Sequence, residues 1–207
     1  MFSGIVETLG PVLSAQTEQG LVRIHVACPP VFDDLKIGDS IANNGVCLTV
    51  ESFDKKEIIF ALGAETLQVT GWTAASLSGA NLNLERSLRF GDRIHGHMVA
   101  GHVDAIGRVC YLEDLGGSLR FDVEAPESVL KYIWKKGSWA VNGVSLTINE
   151  IQGRVISMCL IPETLKRTNL GSLKVGASVN LEVDTMARSL VNYLEANGIV
   201  AAKGARQ

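Results

Sequence analysis

A chain of 207 residues, 46% of them hydrophobic, has room for one large domain or two small ones. Its formal net charge of −3, from 19 basic and 22 acidic residues, supplies no positive field, so no nucleic-acid partner is expected. No apolar run of membrane-span or leader length occurs, and the four cysteines show no CxxC spacing, so no membrane association and a cytoplasmic location are expected.

Met1-Phe2-Ser3-Gly4 leads directly into patterned sequence. Val22, Ile24, Val26 and Cys28 alternate with Arg23, His25 and Ala27, which predicts a strand with one buried face. A short helical turn is expected over Pro30–Leu35. Asn44-Gly45-Val46-Cys47-Leu48-Thr49-Val50 reads as a turn and a strand, and Leu82–Glu85 as another strand. Arg86–Ile94 is a connection. Leu119–Glu124 and Val179–Asp184 alternate again. Pro126–Tyr132 predicts a helical turn with Pro126 at its first position, and Pro162–Leu165 another. After Asp184 the period changes: Met186, Leu190, Val191 and Leu194 share a helical face before Asn197-Gly198. Such a helix serves either assembly or packing on its own domain. Residues past Val200 are expected to fray.

The chain is a duplication. Asn142-Gly143-Val144-Ser145-Leu146-Thr147-Ile148 repeats Asn44–Val50 with Cys47 replaced by Ser145. Gly4, Val6, Gly10 and Val12 return as Gly101, Val103, Gly107 and Val109, Glu65-Thr66-Leu67 as Glu163-Thr164-Leu165, and Asn83-Leu84-Glu85 as Asn180-Leu181-Glu182. So long a period is that of a whole domain. Short strands closed by turns predict an all-β protein of two tandem small Greek-key barrels with a C-terminal α-helix. The boundaries are 1–96, 97–185 and 186–207.

Alternation places Cys47 and Thr49 on one face, opposite Val46, Leu48 and Val50. A cysteine on a strand is more often a small core residue. The hydroxyl of Ser145 in the matching position argues instead for a polar pocket in each copy. His95, His97 and His102 cluster, and on a strand the first two would share a face, but no third ligand has metal-site spacing. His102 aligns with Ile5, so it marks a point where the copies differ, and an imidazole there is a candidate proton carrier. Gly4 and Gly101 permit close backbone approach to a flat ligand. No phosphate loop, dinucleotide fingerprint or hydrolase elbow is found.

Met1–Glu7, Asn44–Val50, Gly96-His97 with Gly101-His102-Val103-Asp104, Asn142–Thr147, and Leu160–Leu165 with Arg167–Gly171 together resemble riboflavin synthase of the alpha-chain type, over nearly the whole chain. The resemblance implies two six-stranded barrels and a helix that assembles a homotrimer. It implies the conversion of two 6,7-dimethyl-8-ribityllumazine molecules into riboflavin and 5-amino-6-ribitylamino-2,4-pyrimidinedione without cofactor or metal, and it admits association with lumazine synthase. One site would comprise Ser40, Cys47, Leu48, Thr49, Ala61, Leu62, Gly63, Ala64, Glu65, Thr66, Gly101, His102 and Val103, with Lys136 nearby. The other would comprise Gly4, Ile5, Val6, Ser145, Leu146, Thr147, Cys159, Leu160, Ile161, Pro162, Glu163 and Thr164. Cys47, His102 and Ser145 are the candidates for nucleophile and proton handling, and half-sites of different subunits would meet. His95 replaces a usual glycine, and the Gly71–Ser76 loop is one residue longer than its counterpart. A non-catalytic lumazine or flavin carrier on the same fold is the alternative.

Overall fold

The computed structural model describes residues 1–200; the expected frayed tail lies outside them. In the first copy, β1 (Thr8–Glu18), β2 (Leu21–Ala27), β3 (Ser40–Asn43), β4 (Val46–Phe53), β5 (Glu57–Leu62) and β6 (Asn81–Arg86) close into a barrel ordered β1-β2-β5-β4-β3-β6. In the second, β7 (Ala105–Asp114), β8 (Leu119–Glu124), β9 (Ser138–Val141), β10 (Val144–Thr147), β11 (Glu150–Gln152), β12 (Val155–Leu160) and β13 (Ser178–Val183) form one sheet ordered β10-β9-β13-β7-β8-β12-β11.

Here the expected six strands become seven. β10 and β11 are the halves of one strand, equivalent to β4, parted at Ile148 and Asn149. The first copy slips register at the same place, between Val50 and Ser52. In both copies the backbone turns aside to the preceding loop: Val50 N donates to Asp39 O and Ile148 N to Gly137 O, each at 2.9 Å. A bulge in one copy has become a break in the other.

Helices are short. The first copy adds α1 (Ala64–Thr70) and α2 (Ala74–Leu77), which alternation and turn signals did not mark. Pro30–Leu35 forms turns and no helix, because Phe32 and Leu35 are drawn into the barrel core. In the second copy α3 (Glu127–Leu130) starts one residue later than expected, with extended Pro126 as its N-cap, whereas α4 (Pro162–Arg167) has Pro162 in its first turn as anticipated. The C-terminal α5 (Thr185–Ala196) is capped by Asp184, whose side chain accepts from Met186 N at 2.8 Å.

Alternation buries Ile24, Val26, Ile58, Phe60 and Leu62 in the first core, and Phe121, Val123, Trp139 and Ile156 in the second. The cores are not self-contained. Val6 of the first copy lies in the second core, and Val103 of the second packs on the first. Burying Val6 in this way is worth about 2 kcal/mol. Between the copies Phe2, Ala42, Val99 and Ala140 form a small separate cluster, and Phe2 and Val99 exchange backbone hydrogen bonds of 2.7 and 3.0 Å.

The two Asn-Gly turns abut there. Asn44 (φ 46°) and Gly45 (φ 79°) have the left-handed pair of a tight hairpin, as do Asn142 and Gly143. A Cβ on Gly45 would lie 2.7 Å from Gly143 N, and one on Gly143 equally close to Gly45 N. Asn83 Nδ2 donates to Asn142 O (2.9 Å), and Asn180 Nδ2 to Asn44 O (2.8 Å), so each copy caps the other's turn.

Candidate functional site

The short segments preceding β1 and β7 cross over. Gly4 of the first copy lies on β10 of the second, where its carbonyl accepts from Ser145 N at 2.8 Å. Gly101 of the second lies on β4 of the first, where its carbonyl accepts from Cys47 N at 2.8 Å. Both glycines are required. A Cβ on Gly4 (φ 74°) would meet Ser145 Cβ at 2.6 Å, and one on Gly101 (φ 83°) would meet Cys47 Cβ at 2.5 Å.

Two equivalent glutamates hold these segments. Glu85 accepts from Ser3 N (2.7 Å), Ser3 Oγ (2.9 Å) and Gly4 N (3.0 Å). Glu182 accepts from Ala100 N (2.6 Å), Gly101 N (3.0 Å) and His102 N (3.1 Å). Burial pushes the Glu182 carboxyl up to about 7 despite the Ala100 and Gly101 N–H groups that favour its charge, and it raises Glu85 likewise.

Cys47 and Ser145 are half-buried, Thr49 and Thr147 exposed, and Val46, Leu48, Val144 and Leu146 buried, as alternation predicts. Ser40 stands opposite Thr49 in the β3–β4 register. Ile5 and His102 both project to the surface from the crossing segments. The two copies thus assemble separate groups: Cys47 with Gly101–Val103, and Ser145 with Gly4–Val6.

The other expected site residues are placed as follows. The side chains of Leu48, Leu62, Leu146 and Leu160 belong to the cores, and Val6 to the second core. Ala61 is half-buried on β5, and Gly63 precedes α1, on which Ala64 and Glu65 are exposed and Thr66 half-buried. Cys159, Ile161, Pro162 and Glu163 are exposed around the start of α4, with Thr164 half-buried. Lys136 stands in the second copy, two residues before β9. Its N–H donates to Ile148 O at 2.8 Å, and its φ of 70° is left-handed where the first copy has Gly38. None of the thiols is fully buried: Cys28, Cys47 and Cys110 are half-buried and Cys159 exposed, all of them unpaired.

One polar pair at the candidate site was missed from sequence. His97 Nδ1 lies 2.7 Å from Ser145 Oγ, and the ring is buried. Burial holds its pKa below the ordinary imidazole value, with Asp184's charge opposing, so a neutral ring can accept the Ser145 hydroxyl proton. His95 and His97 do not share a strand face. The chain bends at 95–96, leaving His95 exposed on a cavity of about 610 Å³ that Ser3, Ile5, Ser40, Glu85 and Arg86 also line. The recoverable signal was Gly96: a Cβ there would meet Ser145 Oγ at 2.8 Å, so the Gly-His pair is shaped to fit over β10.

This duplicated, crossed architecture is that of a tandem lumazine-binding protein: the family described as the lumazine binding domain matches residues 3–87 and again 100–184. Riboflavin synthase of Photobacterium phosphoreum is 36% identical over 195 residues, covering 94% of this chain and 89% of the relative. Those of Bacillus subtilis (strain 168), at 32%, and Escherichia coli (strain K12), at 36%, also align with 94% of this chain and with 90% and 92% of their own lengths. The chain belongs to the riboflavin synthase family. Among solved structures, LumP complexed with riboflavin superposes with a TM-score of 0.81 at 24% identity, covering 88% of this chain and 99% of that one, which speaks for the fold.

Proposed function

We propose that the protein is a riboflavin synthase, a transferase that moves four carbons from one 6,7-dimethyl-8-ribityllumazine to a second, giving riboflavin and 5-amino-6-ribitylamino-2,4-pyrimidinedione. The reciprocal crossing of Gly4 onto Ser145 and of Gly101 onto Cys47 carries this reading, because it yields two equivalent but unequal half-sites in one chain. A reaction between two identical substrates needs such a pair. Holding the rings in contact makes the bimolecular step effectively unimolecular, and unlike side chains let one ring donate while the other accepts. Cys47 and the exposed His102 belong to one half-site, and Ser145 backed by His97 to the other. The overall exchange is redox-neutral, so no cofactor enters the reading.

The half-sites that face each other come from different subunits of a homotrimer in this reading. Support comes from α5, whose Met186, Leu190 and Tyr193 stand exposed on one face. A cytoplasmic location rests on the unpaired cysteines. No helix of the described residues is long and apolar enough to cross a membrane. Lumazine as sole substrate should give one riboflavin per two lumazines consumed, followed by flavin absorbance and chromatography. Tight binding of lumazine without any flavin formed would assign the chain to the carriers instead.

A further inference from the structure

We propose that Arg188 of α5, acting through Asp104, is a positioning residue for the His102 segment, so that docking of the C-terminal helix sets the geometry of that half-site. This rests on reading the His102 segment as part of a half-site. The internal repeat supplies the argument. Glu7 and Asp104 follow Gly4 and Gly101 by three residues each, and each accepts a backbone N–H from the strand that carries the holding glutamate. Arg86 N reaches Glu7 Oε1 at 2.8 Å, and Val183 N reaches Asp104 Oδ2 at 2.8 Å.

What neutralises them differs. In the first copy Arg86 itself turns back, its Nη2 lying 2.6 Å from Glu7 Oε2. The corresponding residue of the second copy is Val183, which carries no charge. The cation comes instead from α5, with Arg188 Nη2 at 2.6 Å from Asp104 Oδ2, both side chains about three-quarters covered. Only the second copy therefore depends on an element outside the repeat. Asp104 also lies near enough to Glu182 to oppose its ionisation, while Arg188 favours it. Without Arg188, the carboxylate that holds Ala100, Gly101 and His102 by their N–H groups would face an unneutralised neighbour.

The helix keeps other ties, Lys131 Nζ to Glu195 Oε2 at 2.6 Å and Tyr132 Oη to Asn192 Oδ1 at 3.0 Å, so Arg188 can be changed with α5 still docked. The test compares R188M, R188K, D104N and the R188M/D104N double variant in the full-length protein. It measures amide hydrogen exchange and steady-state kinetics with lumazine. In R188M the amides of Ala100, Gly101 and His102 should exchange about ten-fold faster or more, while those of Ser3 and Gly4, held by Glu85, keep the parent rate. Turnover should fall about five- to twenty-fold with KM within about three-fold, since loop geometry and not ring binding is lost. R188K should recover most of both, and the double variant should be no slower than R188M within about two-fold, as expected of residues acting in series.

Parent-like exchange at 100–102, equal loosening of both segments, or no recovery in R188K would each overturn the proposal. If the parent protein forms no riboflavin, the proposed function fails, and the exchange comparison of the two segments still decides the role of Arg188.

Discussion

At position 47 and its counterpart 145, the two proposed half-sites differ by sulfur for oxygen within otherwise parallel surroundings. Cys47 N is fixed by Gly101 O and Ser145 N by Gly4 O, so both side chains leave the same face of equivalent strands. Their neighbours are unequal: Ser145 has the buried His97 against its hydroxyl. A serine needs such a base, whereas a thiol is intrinsically the better nucleophile. Cys47→Ser is nearly isosteric and should leave lumazine affinity within a few-fold. It should lower turnover by about ten-fold, close to 1.4 kcal/mol in transition-state stabilisation. Single-turnover kinetics at saturating lumazine separate the two quantities, and a parent-like rate would reduce Cys47 to packing. Cys28, whose thiol burial raises its pKa beside the first core, should behave otherwise: Cys28→Ser is expected to lower the melting temperature and spare turnover.

At the scale of elements, one residue more or less changes what a loop can reach. After α1, the first copy runs into α2 through a capping box at Thr73. The second copy, one residue shorter, leaves α4 into a 3-10 turn at Asn169–Ser172, capped by Thr168. That turn delivers Asn169 into the interface between the copies. Its Nδ2 donates to Asn44 Oδ1 (2.8 Å) and Asn81 O (2.9 Å), and its N–H donates to Asn83 Oδ1 (2.7 Å). The first copy returns no equivalent contact, so Asn169 breaks the internal symmetry. Asn169→Ala removes the Nδ2 bonds and leaves Asn83 Nδ2 without its Oδ1 acceptor, which was 3.0 Å away. The expected cost is about 2–3 kcal/mol, read as a lower urea midpoint with an unchanged m-value. An unaltered midpoint would mean that Asn83 and Asn180 carry the interface alone.

For the whole molecule, the proposed assembly rests on the C-terminal helix and its exposed apolar face. The expected stripe of Met186, Leu190, Val191 and Leu194 divides into two. Ala187 is buried and Val191, Leu194 and Glu195 are half-buried toward the protein's own second copy, with Lys131 paired to Glu195. Met186, Leu190 and Tyr193 are 74%, 59% and 63% exposed on the adjoining face, which is the face a neighbouring subunit would cover. Leu190→Glu with Tyr193→Glu should then place two charges in that seam at a cost of several kcal/mol. Sedimentation should show dissociation, and turnover should be lost while the barrels remain folded by circular dichroism. A double variant that sediments and turns over like the parent would remove α5 from the assembly.

The repeat, the strand alternation and the facing of Cys47 and Ser145 are legible from residues alone, because period-two burial and matching Asn-Gly turns are local properties. The family resemblance follows from the same segments. The pairing of those segments is not local. The grouping of Gly101 with Cys47 and of Gly4 with Ser145 comes from the resemblance, not from any local pattern. That Val6 completes the second core and Val103 packs on the first depends on how the two copies dock. So does His97: a histidine assigned by alternation to the face of His95 is turned by the bend at 95–96 onto Ser145, a contact that no spacing in the chain encodes. The split of β10 from β11, the inward reach of Asn169 and the dependence of Asp104 on Arg188 are likewise set in three dimensions. Sequence determines which face of each strand is apolar; only docking of the copies determines which polar groups then meet across the seam, because burial forces each of them to find a partner there.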